Sequence, residues 1–151
     1  MDLNPHKFQA PWTDYEFASH AIVSNAEVLI LSMAWLTNLS RAAIKEGKEE
    51  PDMDTLMYWM ERLKPLVMGE REVIVVCANR CGEEVGKNPA QPWGEDGVRY
   101  AGSSWVGKVG GGEVKLWGIS GRGREEVLVV DTEDEPRWVL RMTPTDEDVE
   151  E

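Results

Sequence analysis

Two cysteines, two histidines and two phenylalanines are all that 151 residues supply of those types. Cys77 and Cys81 cannot build a disulfide framework, which points to a reducing compartment, cytosolic or nuclear. A metal centre needs three or four good donors at useful spacing. Two cysteines and two distant histidines do not offer that, so no metal and no cofactor is expected. Long apolar runs are missing too. Val28 to Leu36 and Val73 to Ala78 are the most apolar stretches, far short of the roughly 20 residues a membrane helix requires. The first twenty positions are interrupted by Asp2, His6, Lys7, Asp14 and Glu16 and do not read as an export signal. Positive charge is scarce: 16 lysines and arginines stand against 28 acids, a formal net charge of −12. Such a surface repels phosphate, which excludes nucleic acid and anionic membranes as natural partners.

What is present reads as a globular domain. Hydrophobic residues make up 42% of the chain and charged residues 29%, and a chain of this size buries about two-thirds of its unfolded surface. Residues 1–12, with two prolines and no periodicity, form a loop-like opening. Thr13-Asp-Tyr-Glu16 has the capping-box form and predicts a helix with Phe17, Ala18, Ala21 and Ile22 on its inner face, stopped at Ser24-Asn25. Glu27 to Ser32 is apolar at nearly every position, as in a strand buried on both faces of a largely parallel or sandwiched sheet. After a solvated connection, Asp52 or Asp54 caps a second helix with Met53, Leu56, Met57, Met60 and Leu63 on one stripe, ended by Pro65 and Gly69.

Val73 to Ala78 is a second buried strand, and residues 82–98 are a long polar excursion. Ser103–Val109 and Glu113–Ile119 flank Gly110-Gly-Gly112 as a hairpin. Gly118–Gly123 is another turn, and Glu126–Asp131 a further strand. Residues 143–151 form an acidic tail. The order predicts mixed α/β architecture, one sheet with helices on one face.

Catalytic chemistry is thinly represented. Cys77 sits inside an apolar strand, where burial makes a thiol inert. Cys81, at that strand's end, is the more reactive candidate, although no histidine is placed to activate it. Gly107-Lys-Val-Gly-Gly-Gly112 lacks the Lys-Ser/Thr ending of a phosphate-binding loop, and Gly118-Ile-Ser-Gly-Arg-Gly123 precedes a strand pattern rather than a helix, so both read as turns.

Six short blocks, in order, carry a resemblance. Asp2-Leu-Asn4, Asn25-Ala-Glu-Val-Leu-Ile-Leu-Ser-Met-Ala-Trp35, Val73-Ile-Val-Val-Cys-Ala-Asn-Arg-Cys-Gly82, Tyr100-Ala-Gly-Ser-Ser104, Gly112-Glu-Val114 and Val127-Leu-Val-Val-Asp131 resemble the second half of a nitrilase-superfamily carbon–nitrogen hydrolase. Met1 to Trp12, Ser32-Met-Ala-Trp-Leu36 and Gly121 to Asp131 resemble, more narrowly, the fungal protein N-terminal amidases. That group hydrolyses the side-chain amide of N-terminal asparagine or glutamine and feeds the N-degron route to degradation. The resemblance implies an αββα sandwich of which residues 1–142 are one sheet and one helical layer.

It also implies a Glu–Lys–Cys triad. The nucleophilic cysteine is expected immediately before Met1, with the glutamate and lysine further upstream, so the chain as given is expected to be inactive alone. Neither Cys77 nor Cys81 takes the nucleophile's place. Asp2 and Trp35 are the substrate-side residues the resemblance implies, with Asp2 orienting and Trp35 either lining the pocket or packing in the core. Asn79 is read as a turn-forming or hydrogen-bonding residue. The expected partners are a peptide or protein N-terminus in the complete enzyme, and a second nitrilase-like half or another copy of the chain. The competing reading is a catalytically dead nitrilase-like binding or regulatory module.

Overall fold

A computed structural model describes residues 11–84 and 97–142; Asp2, residues 85–96 of the polar excursion expected over 82–98, and the acidic tail over 143–151 lie outside the described residues. The elements are a 3₁₀ turn (Trp12–Asp14), α1 (Glu16–Val23), β1 (Val28–Met33), α2 (Arg41–Glu46), α3 (Met53–Arg62), α4 (Lys64–Met68), β2 (Val73–Asn79), β3 (Glu83–Glu84), β4 (Val98–Arg99), β5 (Trp105–Gly110), β6 (Glu113–Ile119) and β7 (Trp138–Arg141). The main sheet has the order β1-β2-β5-β6-β7, and β3 pairs with β4 separately.

Only β1 and β2 run parallel, with Val28 opposite Ile74 and Met33 opposite Asn79. The other pairs are antiparallel, so of the two arrangements expected, a largely parallel or a sandwiched sheet, the largely parallel one does not hold. The glycine turn works as expected. Gly111 and Gly112 take φ of 61° and 78°, a region that glycine enters without a Cβ penalty, and this lets β5 fold back on β6.

Strand periodicity decides which face is core. Leu29 and Leu31, Val73, Val75 and Cys77, Trp105 and Val109, and Val114 and Leu116 point to one side and are buried. Against them pack Ala18 and Ala21 of α1, Leu56, Trp59 and Met60 of α3, and Leu66 and Val67 of α4. The fold is therefore mixed α/β with helices on one face, as expected, and is compatible with one half of a nitrilase-like sandwich. The opposite face carries Val28, Ile30, Ile74, Val76 and Val106 in register across β1, β2 and β5. Ile30 is 67% exposed. Strand β1, apolar at nearly every position, is thus buried on one face only within the described residues, rather than on both.

Other local expectations change for physical reasons. No capping box forms at Thr13: the N-cap of α1 is Tyr15, in the left-handed region, with no side-chain cap. Glu16 instead pairs with the fully buried Arg62 at 3.3 Å. Arg62 also donates to the carbonyl of Trp12 and lies 4.8 Å from the Trp12 ring, tying the opening segment to α3. Ile22 is exposed rather than on the inner face. On α3, Met53 and Met57 face solvent, and Trp59 and Arg62 take the buried positions beside Leu56 and Met60. Pro65 opens α4 rather than ending a helix, as suits a residue with fixed φ and no N–H.

The strand expected over Glu126–Asp131 is absent, and β7, which the pattern missed, takes the place beside β6. Residues 127–130 do alternate. Leu128 and Val130 pack over Gly118, where an added Cβ would meet them at 2.9 and 3.1 Å. Val127 and Val129 face outward, 88% and 82% exposed. The alternation is that of an extended segment lying on the sheet, with no ladder of its own among the described residues.

Candidate functional site

The ends of β1 and β2 and the loop over residues 100–104 converge, and Asn79 holds them. Its side-chain oxygen accepts the Trp35 N–H at 2.8 Å, and its amide nitrogen donates to the carbonyls of Trp35 (3.3 Å) and Gly102 (3.0 Å). The Asn79 N–H donates to the Ser104 hydroxyl, which returns a bond to the Asn79 carbonyl. The hydrogen-bonding reading of Asn79 is therefore the one the structure shows. An isolated bridge between Leu36 and Tyr100 continues the clamp.

The clamp sets Trp35 on the rim of a cavity of about 290 Å³. Trp35 is half-buried, lines this cavity and also packs against the core. Its ring centroid lies 4.6 Å from that of Tyr58, tilted by 30°, and 5.3 Å from that of Trp59. Trp12 packs edge-on against Tyr58 at 5.4 Å, which brings the opening segment to the same aromatic cluster.

The remaining wall comes from the start of α3. Asp52 is buried and caps the helix, its carboxylate accepting the Thr55 N–H at 3.3 Å and the Thr37 hydroxyl at 2.9 Å. Its own N–H donates to Ser103 Oγ at 2.7 Å. Ser103 sits at φ 57° and is itself buried. Asp54 projects to the same cavity. Sequence reasoning identified Asp52 and Asp54 only as alternative helix caps and did not place Tyr58 at a site. The signal was the spacing: positions 54, 55 and 58 share a helix face.

The thiols are not part of this arrangement. Burial pushes the Cys77 thiol far above its ordinary range. Cys81 is also shifted upward, by partial burial first and then by Glu125. Neither carries the features of an activated nucleophile. Near the strand end, Arg80 stacks on the Tyr100 ring at 4.3 Å and pairs with Glu84, whose carboxyl is lowered mainly by that hydrogen bond. Among the described residues no three His, Cys, Asp or Glu side chains gather as metal ligands, and no helix is long and apolar enough to cross a membrane.

No family model matches the chain, and no solved structure matches it. Two curated relatives do. The protein N-terminal amidase of Schizosaccharomyces pombe is 28% identical over 144 residues, covering 88% of this chain and 46% of that protein. The protein N-terminal amidase of Saccharomyces cerevisiae is 45% identical over 40 residues, covering 26% of this chain and 9% of that protein. The chain thus spans about half the length of the first relative, and through it is homologous to the fungal protein N-terminal amidases.

Proposed function

We propose that the chain forms the second half of a protein N-terminal amidase of the nitrilase superfamily, an enzyme that hydrolyses the side-chain amide of an N-terminal asparagine or glutamine. The observation that carries this reading is similarity to the S. pombe amidase over 88% of the chain. The strand-end clamp supports it, because it holds Trp35 rigidly at a cavity, where a substrate wall is needed. In this reading a cysteine joined ahead of Met1 attacks the amide carbon and ammonia leaves. Water then cleaves the thioester to give an N-terminal acid, with an upstream glutamate as base and an upstream lysine holding the oxyanion. Asp2 orients the nucleophile's loop and Trp35 contacts the substrate. The product enters an N-degron route, in the cytosol or nucleus.

The open sheet face fits the same proposal. Val28, Ile30, Ile74, Val76 and Val106 form an apolar stripe opposite the helices, and packed sheets lie about 10 Å apart with such stripes interdigitated. The upstream half supplies the second sheet. Without it the chain associates with itself through this face.

The test joins the upstream coding half, ending in cysteine, to Met1 and measures ammonia release from peptides beginning with Asn or Gln. The joined protein turns over, its Cys→Ala form does not, and the isolated chain releases no ammonia. Turnover by the isolated chain that disappears in Cys81→Ser overturns the proposal.

A further inference from the structure

We propose that the cavity between α2 and the β3–β4 pair is a binding pocket for a small organic polycarboxylate. The inference stands apart from the amidase reading, because none of the residues that line this cavity belongs to the Trp35 cluster. The cavity measures about 240 Å³, below the roughly 300–1,000 Å³ of drug- and cofactor-sized sites, so its occupant is a molecule of a few carbon atoms.

Charge is what sets the cavity apart. The chain carries 28 acids against 16 bases, yet four of those bases, Arg41, Lys45, Lys48 and Arg99, line this one cavity beside a single acid, Glu83. Glu83 is already taken: one of its oxygens lies 2.9 Å from both Nε and Nη2 of Arg41. Lys48 has a 3.7 Å approach to Glu49, whose closer partner is Arg124 at 2.9 Å. Lys45 and Arg99 have no ion-pair partner among the described residues. Arg41 and Lys45 stand four apart on one face of α2, and like charges at that spacing destabilise a helix. Arg99 reaches the cavity from β4. Its Nε is fixed on the Leu39 carbonyl at 2.8 Å, which leaves the two Nη groups to hold a carboxylate side-on. A cleft lined by one sign of charge concentrates the field at its mouth, and here that field is opposite in sign to the charge of the chain as a whole.

The lining favours a carbon skeleton. Ile44 lies among the cations, and the aliphatic stems of the long side chains add apolar surface. A bare phosphate leaves that surface uncovered. A short chain bearing two or three carboxylates covers it and meets several cations at once. Gly123 closes one wall with bare backbone: a Cβ there would meet Lys48 Cβ at 2.9 Å and Ile44 Cγ2 at 3.3 Å, so any side chain would displace two residues of the lining.

The experiment titrates the full chain with citrate, inorganic phosphate and acetate at constant ionic strength, followed by backbone NMR. Citrate gives saturable shifts confined to residues 41–48, 82–83, 99 and 123, with half-saturation at or below about 1 mM. Acetate and phosphate bind at least about tenfold more weakly, the loss expected when a charged hydrogen bond goes unmade. Arg99→Gln weakens citrate binding about tenfold. Lys45→Glu changes an exposed side chain, so it folds, and it weakens binding by at least as much. Lys108→Gln, outside the cavity, leaves the affinity unchanged. Should Arg99→Gln fail to fold, Lys45→Glu decides. Citrate shifts that do not saturate or that spread over the surface, phosphate binding as tightly as citrate, wild-type affinity in Lys45→Glu, or an equal loss in Lys108→Gln overturns the inference.

Discussion

Replacing Asn79 by alanine removes the clamp at the strand ends, and the cost follows from the bonds it makes. Three side-chain hydrogen bonds disappear: one from the Trp35 N–H at 2.8 Å and two to the carbonyls of Trp35 and Gly102 at 3.3 and 3.0 Å. At about 1 kcal/mol net each, the loss is about 3 kcal/mol. With a urea slope of about 2 kcal/mol per molar, the midpoint falls by about 1.5 M, read by tryptophan fluorescence.

The aspartate variant separates hydrogen bonding from simple loss of packing. In Asn79→Asp the introduced carboxyl group keeps an acceptor for the Trp35 N–H but sets its second oxygen against two carbonyl oxygens; the protonated acid, with its one O–H, donates to one of them, and the ionised form to neither. The folded pKa of that carboxyl is therefore raised above the unfolded value of about 3.9. A group raised in this way contributes stability fully below its unfolded pKa and loses it as pH rises through its folded pKa. Asn79→Asp should thus lose about 1 kcal/mol at and below about pH 4, for the one bond its single O–H cannot replace, and more at pH 7, whereas Asn79→Ala should be destabilised equally at both. A midpoint change in Asn79→Ala below about 0.3 M, equivalent to about 0.6 kcal/mol at that slope, would refute the clamp. So would identical pH profiles for the two variants.

Much of the fold is legible in the sequence, for identifiable reasons. β2 and the β5–β6 hairpin are found because their signals are local: a short apolar run, and glycines where the turn needs positive φ. The helical cap is narrowed in the same way to Asp52 or Asp54, and the structure selects Asp52. Elements that depend on distant partners are not. Val127 to Val130 has strand composition and alternation, but Leu128 and Val130 lie on Gly118 of β6 and β7 takes the ladder. Thr13 and Glu16 have the capping-box spacing, but a buried arginine 46 positions along the chain claims the glutamate. Met53 and Met57 match the helical period, yet the inward arc of α3 is set by which side faces α4 and the sheet, and it selects Trp59 and Arg62 instead. The site divides in the same way. Trp35 is recognisable as a strand-end residue. The cavity it lines also needs Tyr58 and two aspartates from α3, and their proximity is a product of tertiary packing.

Gly121→Ala should destabilise the chain by more than about 2 kcal/mol, because its Cβ would lie 2.2 Å from the Lys48 carbonyl oxygen; a change under about 0.5 kcal/mol in urea unfolding contradicts the close approach. A thiol reagent at neutral pH should modify Cys81 slowly and Cys77 only on unfolding, since burial raises both thiols and encloses Cys77; equal labelling of the two in the folded chain would contradict that burial. Glu72, held below the usual carboxylate range by Lys108 at 2.8 Å and Lys115 at 2.9 Å, contributes stability above its unfolded pKa that is lost as pH falls through the lowered folded value. Glu72→Gln should therefore flatten the acid limb of stability below about pH 4.3, and an unchanged limb in urea melts counts against the lysine pair. Ile30→Lys tests the open sheet face: Ile30 is 67% exposed in the chain itself, so the lysine should cost less than about 0.5 kcal/mol of stability, while in any assembly that covers the face it would bury an unpaired ammonium and block association. Sedimentation should then show the variant as a monomer where the wild type associates, and undiminished association in Ile30→Lys would mean that this apolar stripe is not the surface through which copies of the chain meet.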